Sequence, residues 1–477
     1  MKFYFMGICG TAMGNVALLL KGMGHEVVGA DTHTYPPMSD ALVESGIEIL
    51  SGYDPERLAA LNPDQVVIGN AISRGNPEVE WLLESRALAY SSLPALLNEH
   101  VLSQRRNLVI AGTHGKTTTT SVAAYLLVKN GFEPGYLIGG IPRDLPGGSS
   151  PGHGDGPFVI EGDEYDSAFF DKRSKFVHYA PNVLAINNLE FDHADIFHDL
   201  ADVRRSFQHA MRLVPRSGCI VYNGDDEILA NAVDAPWTHR LRVGEGKSND
   251  LVISNFHEDA TGSEFELIWR GQLWGAVRWG LAGFYNARNS AMAALSAGYL
   301  VFGEDPTQLD LSCLSDFIGP RRRQECLYMD ERLVVIEDFG HHPTALWQTL
   351  QSLRKRYPEY RLTACFEPRS NTARTKLFQS EFTAALALAD EVLLGAVYRL
   401  DTLQAHQPLD TQQMVSELQN RGCAARAFEE NDDLLEVLQT IVSRKNCEQR
   451  QLICFFSNGA FGGIIRALQT QLDEKHL

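Results

Sequence analysis

The sequence predicts an α/β protein of three domains. The N-terminal and C-terminal units are Rossmann-like, and the central one is a P-loop ATPase-like sheet with a small β-rich patch. Three observations predict this. A chain of 477 residues is too long for one ordinary domain and suggests about three. Short apolar runs alternate with helix-length segments, the pattern of parallel sheets covered on both faces. Three blocks each open on such a run, at Phe3, near Asn107 and near Arg321, which places the domains at 1–104, 105–320 and 321–477.

The first block reads Phe3 to Gly7 as a buried strand, Val16 to Leu20 as an apolar helical stretch, Gly24 to Asp31 as a turn into a second strand, and Gln65 to Gly69 as another. In the second, Leu108 to Ala111 is a strand and Ser121 to Val128 a helix-forming run. The Gly/Pro/Ser-rich segment Pro146 to Gly156 reads as an exposed loop. Leu251 to Trp279 alternates and turns as a β-rich patch, and a helical run after Asn286 closes the block. In the third, Leu333–Ile336, Leu362–Phe366, Val392–Leu394 and Leu452–Phe456 are strand candidates separated by helical stretches, so a second doubly wound sheet is expected.

Composition narrows the function. Hydrophobic residues at 44% and charged residues at 21% are ordinary for a globular protein. No apolar run reaches the length of a membrane span. The start runs straight into a strand without the apolar region of a signal peptide. Eight scattered cysteines without a C-x-x-C pair fit reduced thiols in a cytoplasmic enzyme. A net charge of −18 argues against nucleic acid and anionic membranes as partners. Arg321-Arg322-Arg323, the only dense basic run, is too short to offset it. Phosphates would have to be bound by local devices: helix N-termini, glycine turns, a few cations and magnesium.

The strongest such device is Ala111-Gly112-Thr113-His114-Gly115-Lys116-Thr117-Thr118, between an apolar strand and a helix-forming run. Backbone N–H groups from Gly112 to Thr118 can point at phosphate oxygens, Lys116 supplies positive charge, and the Thr117 hydroxyl can ligate Mg²⁺. The standard pattern would place glycine at position 110, where this chain has Ile110, so the loop is a variant. Downstream, the apolar strand at Phe158 ends in Glu161-Gly162-Asp163-Glu164-Tyr165-Asp166. A second strand from Val183 runs into Asn187-Asn188-Leu189-Glu190-Phe191-Asp192-His193. Two strands delivering carboxylates and a histidine to one sheet edge suggest a metal-assisted site, with Glu161 and His193 the strongest candidates. His198 and His209 read as surface residues.

G-T-H-G-K-T-T-T, E-x-D-E-x-D and N-N-L-E-F-D-H-x-D together resemble the Mur ligases. The resemblance implies that Lys116 and Thr117 bind ATP and magnesium, and that Glu161 and His193 bind magnesium. Several members hold a second metal with a carbamylated lysine after the D-H motif. This chain has no lysine between Lys175 and Lys247, a departure similar to the branch that acts directly on UDP-N-acetylmuramate. Gly283 to Asn289 is similar to a nucleotide-contacting segment, which implies that role for Asn286 and Asn289; read alone, the two could equally be helix caps. The arginine run implies a side chain reaching the phosphates from the third domain, Arg323 first and Arg322 second. Ile336 to Thr344 resembles D-Y-G-H-H-P-T, implying Asp338 near the nucleotide and His341 near the transferring phosphate.

The turn Gly7-Ile8-Cys9-Gly10-Thr11-Ala12-Met13-Gly14 departs from G-x-G-x-x-G, and Asp31 ends the next strand, where dinucleotide-binding enzymes place a ribose-binding acid. The resemblance implies instead that Gly7, Cys9, Gly10, Thr11 and Asp31, with Asn70 and Ala71, hold UDP-N-acetylmuramate. In Glu367-Pro368-Arg369-Ser370-Asn371-Thr372, Arg369 is a candidate clamp for a peptide carboxylate, with Asn371 beside it. The implied reaction is ATP- and Mg²⁺-dependent ligation of the tripeptide L-alanyl-γ-D-glutamyl-meso-diaminopimelate to UDP-N-acetylmuramate, with Lys116, His193, Arg323 and His341 as catalytic residues. L-alanine is the alternative amine. A nucleotide-hydrolysing switch and a nicotinamide oxidoreductase are the readings from other classes.

Overall fold

Strand β1 (Lys2–Met6) is apolar on both faces, and Phe3, Tyr4, Phe5 and Met6 are all fully buried. A strand of that kind needs cover on both sides, which only a sheet wrapped in helices supplies. In the computed structural model, which describes residues 1–34, 38–399, 407–443 and 449–474, it is the middle strand of a parallel sheet. Its companions are β2 (Glu26–Asp31), β3 (Glu48–Ser51), β4 (Gln65–Ile68) and β5 (Tyr90–Ser92), in the order β3-β2-β1-β4-β5. The order reverses at β1, and a crevice opens there at the strands' C-terminal ends.

Tyr4 also carries a polar duty in this core. Its hydroxyl donates to Glu78 Oε1 at 2.7 Å, and the same oxygen accepts from the Asp54 N–H at 2.9 Å. Burial holds the Glu78 carboxyl above its ordinary pKa, although the Tyr4 and Asp54 donors and nearby Arg57 pull the other way. Tyr4→Phe should lower stability by about 0.5–1.5 kcal/mol, the net worth of one hydrogen bond to an acceptor that keeps a second donor. An unchanged urea midpoint would show the bond to be dispensable.

The second sheet is formed by β6 (Arg106–Ala111), β7 (Gly135–Leu137), β8 (Ser149–Ser150), β9 (Pro157–Gly162), β12 (Val183–Ile186), β13 (Cys219–Asn223), β14 (His239–Gly244), β15 (Leu251–Asp259), β16 (Gly262–Trp269) and β17 (Gln272–Trp279). A separate hairpin pairs β10 (Asp166–Ala168) with β11 (Asp171–Ser174). The order is β17-β16-β15-β14-β13-β12-β6-β9-β7-β8, parallel from β15 to β7 and antiparallel at both edges. Ala111 is in register with Gly162 on one side and Ile186 on the other. The loops after β6, β9 and β12 therefore leave the sheet side by side.

Pro146 to Gly156 is less exposed than its composition suggests. Ser149 and Ser150 pair with β7, and the segment lies against the first domain, where the Asn15 side chain faces Gly148 and Pro151 faces Gly22. A two-residue edge strand is fixed by its neighbours, and no local pattern announces it.

The third sheet contains β18 (Glu325–Met329), β19 (Leu333–Asp338), β20 (Arg361–Phe366), β21 (Glu391–Leu394), β22 (Ala424–Ala427) and β23 (Gln451–Phe456), in the order β18-β19-β23-β20-β21-β22. All pairs are parallel except β18–β19. Its helix Pro343–Arg356 docks on the β15–β16 hairpin. Ser352 donates to Glu258 at 2.7 Å, and Arg356 donates to the Asp259 carbonyl at 3.1 Å.

Candidate functional site

The loop after β6 turns through Gly115, at φ +78°, into the helix Lys116–Lys129. A Cβ at Gly115 would lie 2.5 Å from Asn289 Oδ1, so glycine satisfies both the backbone and the space. No side chain caps this helix, which leaves its first N–H groups aimed outward. The β12 loop braces the turn. The His114 N–H donates to Asn188 Oδ1 at 2.8 Å, Thr113 Oγ1 accepts from the Glu190 N–H at 2.9 Å, and Asn187 Nδ2 donates to Thr119 Oγ1 at 2.8 Å.

Lys116 folds back over the loop. Its Nζ donates to the Gly112 carbonyl at 2.7 Å and to Glu164 Oε2 at 2.8 Å. Burial opposes the ammonium charge, but Glu164, Asp163 and Glu161 outweigh it and hold the pKa above its usual value. Glu164 also faces His193 Nε2 at 3.2 Å, while Asp163 pairs with Lys175 at 3.2 Å. His193 sits at φ +55°, in the left-handed region that a non-glycine residue adopts at some cost.

Glu161 is the site's mismatched acid. Burial and the neighbouring Asp163 push its carboxyl up to about 7, against the Gly139 N–H donating to Oε1 at 2.7 Å. Its Oε2 lies 3.3 Å from the Thr117 hydroxyl. A Cβ at Gly139 would come within 2.9 Å of the carboxylate, so the residue opposite leaves room. A hydroxyl and a carboxylate converging in a confined, electron-rich pocket fit a hard divalent cation such as Mg²⁺. Thus Thr117 and Glu161 are together as expected, whereas His193 turns to Glu164, a residue outside the expected set.

The third domain contributes from above. Arg323 Nη2 donates to Thr117 Oγ1 at 3.1 Å, and its guanidinium lies 4.8 Å from the centre of the Phe339 ring. Arg322, the second candidate, is spent elsewhere: Nε donates to Glu337 at 2.6 Å and Nη2 to the Ser457 carbonyl at 2.7 Å. Asp338 is buried and accepts from the Gln324 and Gly340 N–H groups at 2.9 and 2.7 Å. His341 Nδ1 lies 3.0 Å from the Phe339 carbonyl, and burial lowers its pKa, favouring neutral imidazole. Contacts between domains hold this arrangement: Thr372 donates to Asp192 at 2.8 Å, Asn371 to Asp195 at 2.8 Å, and Thr344 to Glu190 at 2.5 Å.

These elements enclose a cleft of about 340 Å³. Thr11 and Ala12 of the first domain line it with His114 to Thr118, Glu161 and His193 of the second and Arg323, Asp338 and His341 of the third. Asn286 and Asn289 line it too; Asn286 Nδ2 holds the Ala282 carbonyl at 2.7 Å. At the first domain's edge, the Gly7 N–H bonds the Ala30 carbonyl, and Gly10 begins the helix Thr11–Gly22 without a side-chain cap. Asp31 is already engaged, since its Oδ2 accepts from the Cys9 N–H at 2.9 Å. Its position fits an organiser of the turn better than a free ribose acceptor. Asn70 donates to Asp166 at 3.2 Å across the domain boundary, and Ala71 beside it is exposed. Arg369 stacks 3.8 Å from the centre of the Tyr398 ring with Glu367 at 3.4 Å, and stands apart from the cleft's lining.

Sequence reasoning placed Asp163, Glu164, Tyr165 and Asp192 in the two acidic runs but gave none of them a role of its own. The usable signal was that both acidic runs follow fully apolar strands, where a carboxylate lands at a buried edge. Tyr285, which bonds Thr349 of the third domain at 3.2 Å, carried no such signal.

Comparison with known proteins accounts for this convergence. Three family descriptions match in series: Mur ligase family, catalytic domain, over residues 2–105; Mur ligase middle domain over 110–297; and Mur ligase, glutamate ligase domain, over 322–459. The chain belongs to the Mur ligase family and is an ATP-dependent ligase that forms a C–N bond. It is 40% identical to the UDP-N-acetylmuramate–L-alanyl-γ-D-glutamyl-meso-2,6-diaminoheptandioate ligase of Escherichia coli K12, covering 100% of this chain and 99% of the relative. A crystal structure of a murein peptide ligase from Psychrobacter arcticus 273-4 matches at TM-score 0.71 and 33% identity, covering 98% of both chains. The UDP-N-acetylmuramate–L-alanine ligase of Leuconostoc mesenteroides is 32% identical over 90% of each chain.

Proposed function

We propose that this protein joins L-alanyl-γ-D-glutamyl-meso-diaminopimelate to UDP-N-acetylmuramate at the expense of ATP, returning cell-wall peptide to a nucleotide precursor in the cytoplasm. The observation that carries the reading is the single cleft where the phosphate loop meets the N-terminus of the helix Thr11–Gly22 and Arg323 of the third domain. The higher identity to the tripeptide ligase than to the L-alanine ligase supports the choice of amine. The absence of a membrane-length apolar helix among the described residues accords with the compartment. The units 1–104, 105–320 and 321–477 would serve the nucleotide sugar, ATP and the peptide in turn.

The reaction has two steps. The lactyl carboxylate of UDP-N-acetylmuramate attacks the γ-phosphorus, the bridging oxygen leaves with ADP, and an acyl phosphate forms. The peptide α-amine then attacks the acyl carbon, loses a proton, and expels inorganic phosphate as the C–N bond closes. The protein supplies position and charge rather than covalent chemistry. The N–H groups after Gly10, with Gly7, Cys9 and Thr11 in the turn and Asn70 and Ala71 beside it, would cradle the UDP diphosphate. Those from Gly112 to Thr118 would cradle ATP, with Asn286, Asn289 and Asp338 along the nucleotide. Lys116 and Arg323 would neutralise charge on the transferring phosphoryl, with His341 lining the cleft beside it. Thr117 and Glu161 would hold Mg²⁺, with His193 positioning Glu164 at its edge; the ion would screen the phosphate charges. Arg369 would meet the peptide, with Asn371 beside it holding Asp195 across the domain boundary. The domain contacts would exclude water from the acyl phosphate.

With ATP, Mg²⁺ and UDP-N-acetylmuramate supplied, ADP release should require the tripeptide and should be slow with L-alanine. Turnover with L-alanine but none with tripeptide would overturn the choice of amine. Inertness toward every amine offered would overturn the ligase reading.

A further inference from the structure

Two histidines and a glutamate meet where the second and third domains touch, and the ligation chemistry does not use them together. His114 comes from the phosphate loop, Glu190 from the loop after β12, and His342 from the N-terminal cap of the helix Pro343–Arg356. Glu190 Oε2 lies 3.6 Å from His114 Nε2 and 3.5 Å from His342 Nδ1, and one ligand atom from each residue falls within 4.8 Å of the others. The distances to Glu190 are too long for hydrogen bonds. They match a shared cation better: bonds of about 2.0–2.1 Å at tetrahedral angles separate ligand atoms by about 3.3–3.4 Å.

The surroundings prepare the donors. His114 Nε2 is buried and has no hydrogen-bond partner among the described residues. His342 Nε2 faces the Phe191 carbonyl at 3.2 Å. A carbonyl only accepts, so that nitrogen carries the proton and Nδ1 presents its lone pair toward Glu190. Among the described residues, the sole competing contact at Nδ1 is a long one, from the Thr344 N–H at 3.4 Å. Thr344 Oγ1 donates to Glu190 Oε2 at 2.5 Å, orienting the carboxylate. The two imidazoles lie with ring centres 4.5 Å apart at 41°, close enough to share one ion.

We propose that His114, Glu190 and His342 form a site for a borderline transition-metal ion such as Zn²⁺ or Co²⁺, distinct from the oxygen-lined pocket of Thr117 and Glu161. Two imidazoles and one carboxylate are the donors such ions prefer and Mg²⁺ does not. Because the ligands come from two domains, an ion there pins the third domain against the phosphate loop.

The test uses the full chain and Co²⁺ alone, without substrates, so its outcome is independent of the ligase reading. In excess Mg²⁺, one Co²⁺ per chain should bind with the visible absorption of a tetrahedral N/O site. His342→Ala and, separately, Glu190→Gln should each weaken binding by more than the roughly 10–100-fold that losing an outer-shell partner costs. Circular dichroism identifies any variant that fails to fold, and the other variant then decides. No tetrahedral spectrum, a thiolate charge-transfer band, or unchanged binding in a folded variant would each overturn the site.

Discussion

Lys116→Ala should reduce ligation by at least roughly 10²–10³-fold, the loss expected when one preorganised group facing developing charge is removed. It should also destabilise the protein, and the two effects have separate causes. Lys116 pairs with Glu164, whose side chain is only 3% exposed. Without the ammonium, that carboxylate keeps His193 alone as a counter-charge. Stranding one member of a buried pair costs about 3–5 kcal/mol. The double variant Lys116→Ala/Glu164→Gln removes the stranded charge and should recover most of the melting temperature while leaving ligation as slow as in the single variant. Thermal melts and steady-state ADP release on the three proteins separate the roles. Recovery of activity along with stability would mean that Lys116 serves the fold and not the phosphates.

What could be read from the sequence divides along the line between local and distant interactions. The phosphate loop was legible because strand, glycine turn and helix are adjacent in the chain, and one stretch from Leu108 to Lys129 encodes all three. Glu161 was legible because it ends an apolar strand. Glu164, only three residues away, was one acid of the same run, and its partners were not legible. Its importance comes from Lys116 and His193, which reach it from separate loops, and no spacing rule reports such a meeting. The same reason governs groups that proved to be occupied. Asp31 holds the Cys9 N–H and Asn371 holds Asp195, so both serve the protein's own framework in this arrangement. A polar residue at a strand end announces that it needs a partner, and only the folded chain shows whether that partner is a ligand or a neighbouring backbone.

The arginine run shows how that ambiguity is settled. Arg322 and Arg323 are adjacent and chemically identical, and the sequence ranks them only by resemblance. The structure separates them by direction. Arg322, at φ +61°, points back into its own domain, donating to Glu337, the Ser457 carbonyl and the Gly459 carbonyl at 2.6, 2.7 and 2.5 Å. Arg323 points across the domain boundary to Thr117, and burial disfavours its charge, which Asp338 and Glu161 offset. Arg322→Ala should therefore lower stability by about 2–4 kcal/mol, below the full cost of a broken buried pair because Arg322 is 30% exposed. Arg323→Ala should leave the melting temperature nearly unchanged, since removing a buried and partly compensated charge spares its desolvation cost. It should nevertheless cut kcat by roughly 10²–10³-fold if the guanidinium meets the transferring phosphoryl. Measured side by side, the two substitutions should give opposite profiles, one in the thermal melt and the other in turnover. A stability loss for Arg323→Ala with turnover intact would make it a strut like its neighbour, and the phosphoryl would then be met by Lys116 alone.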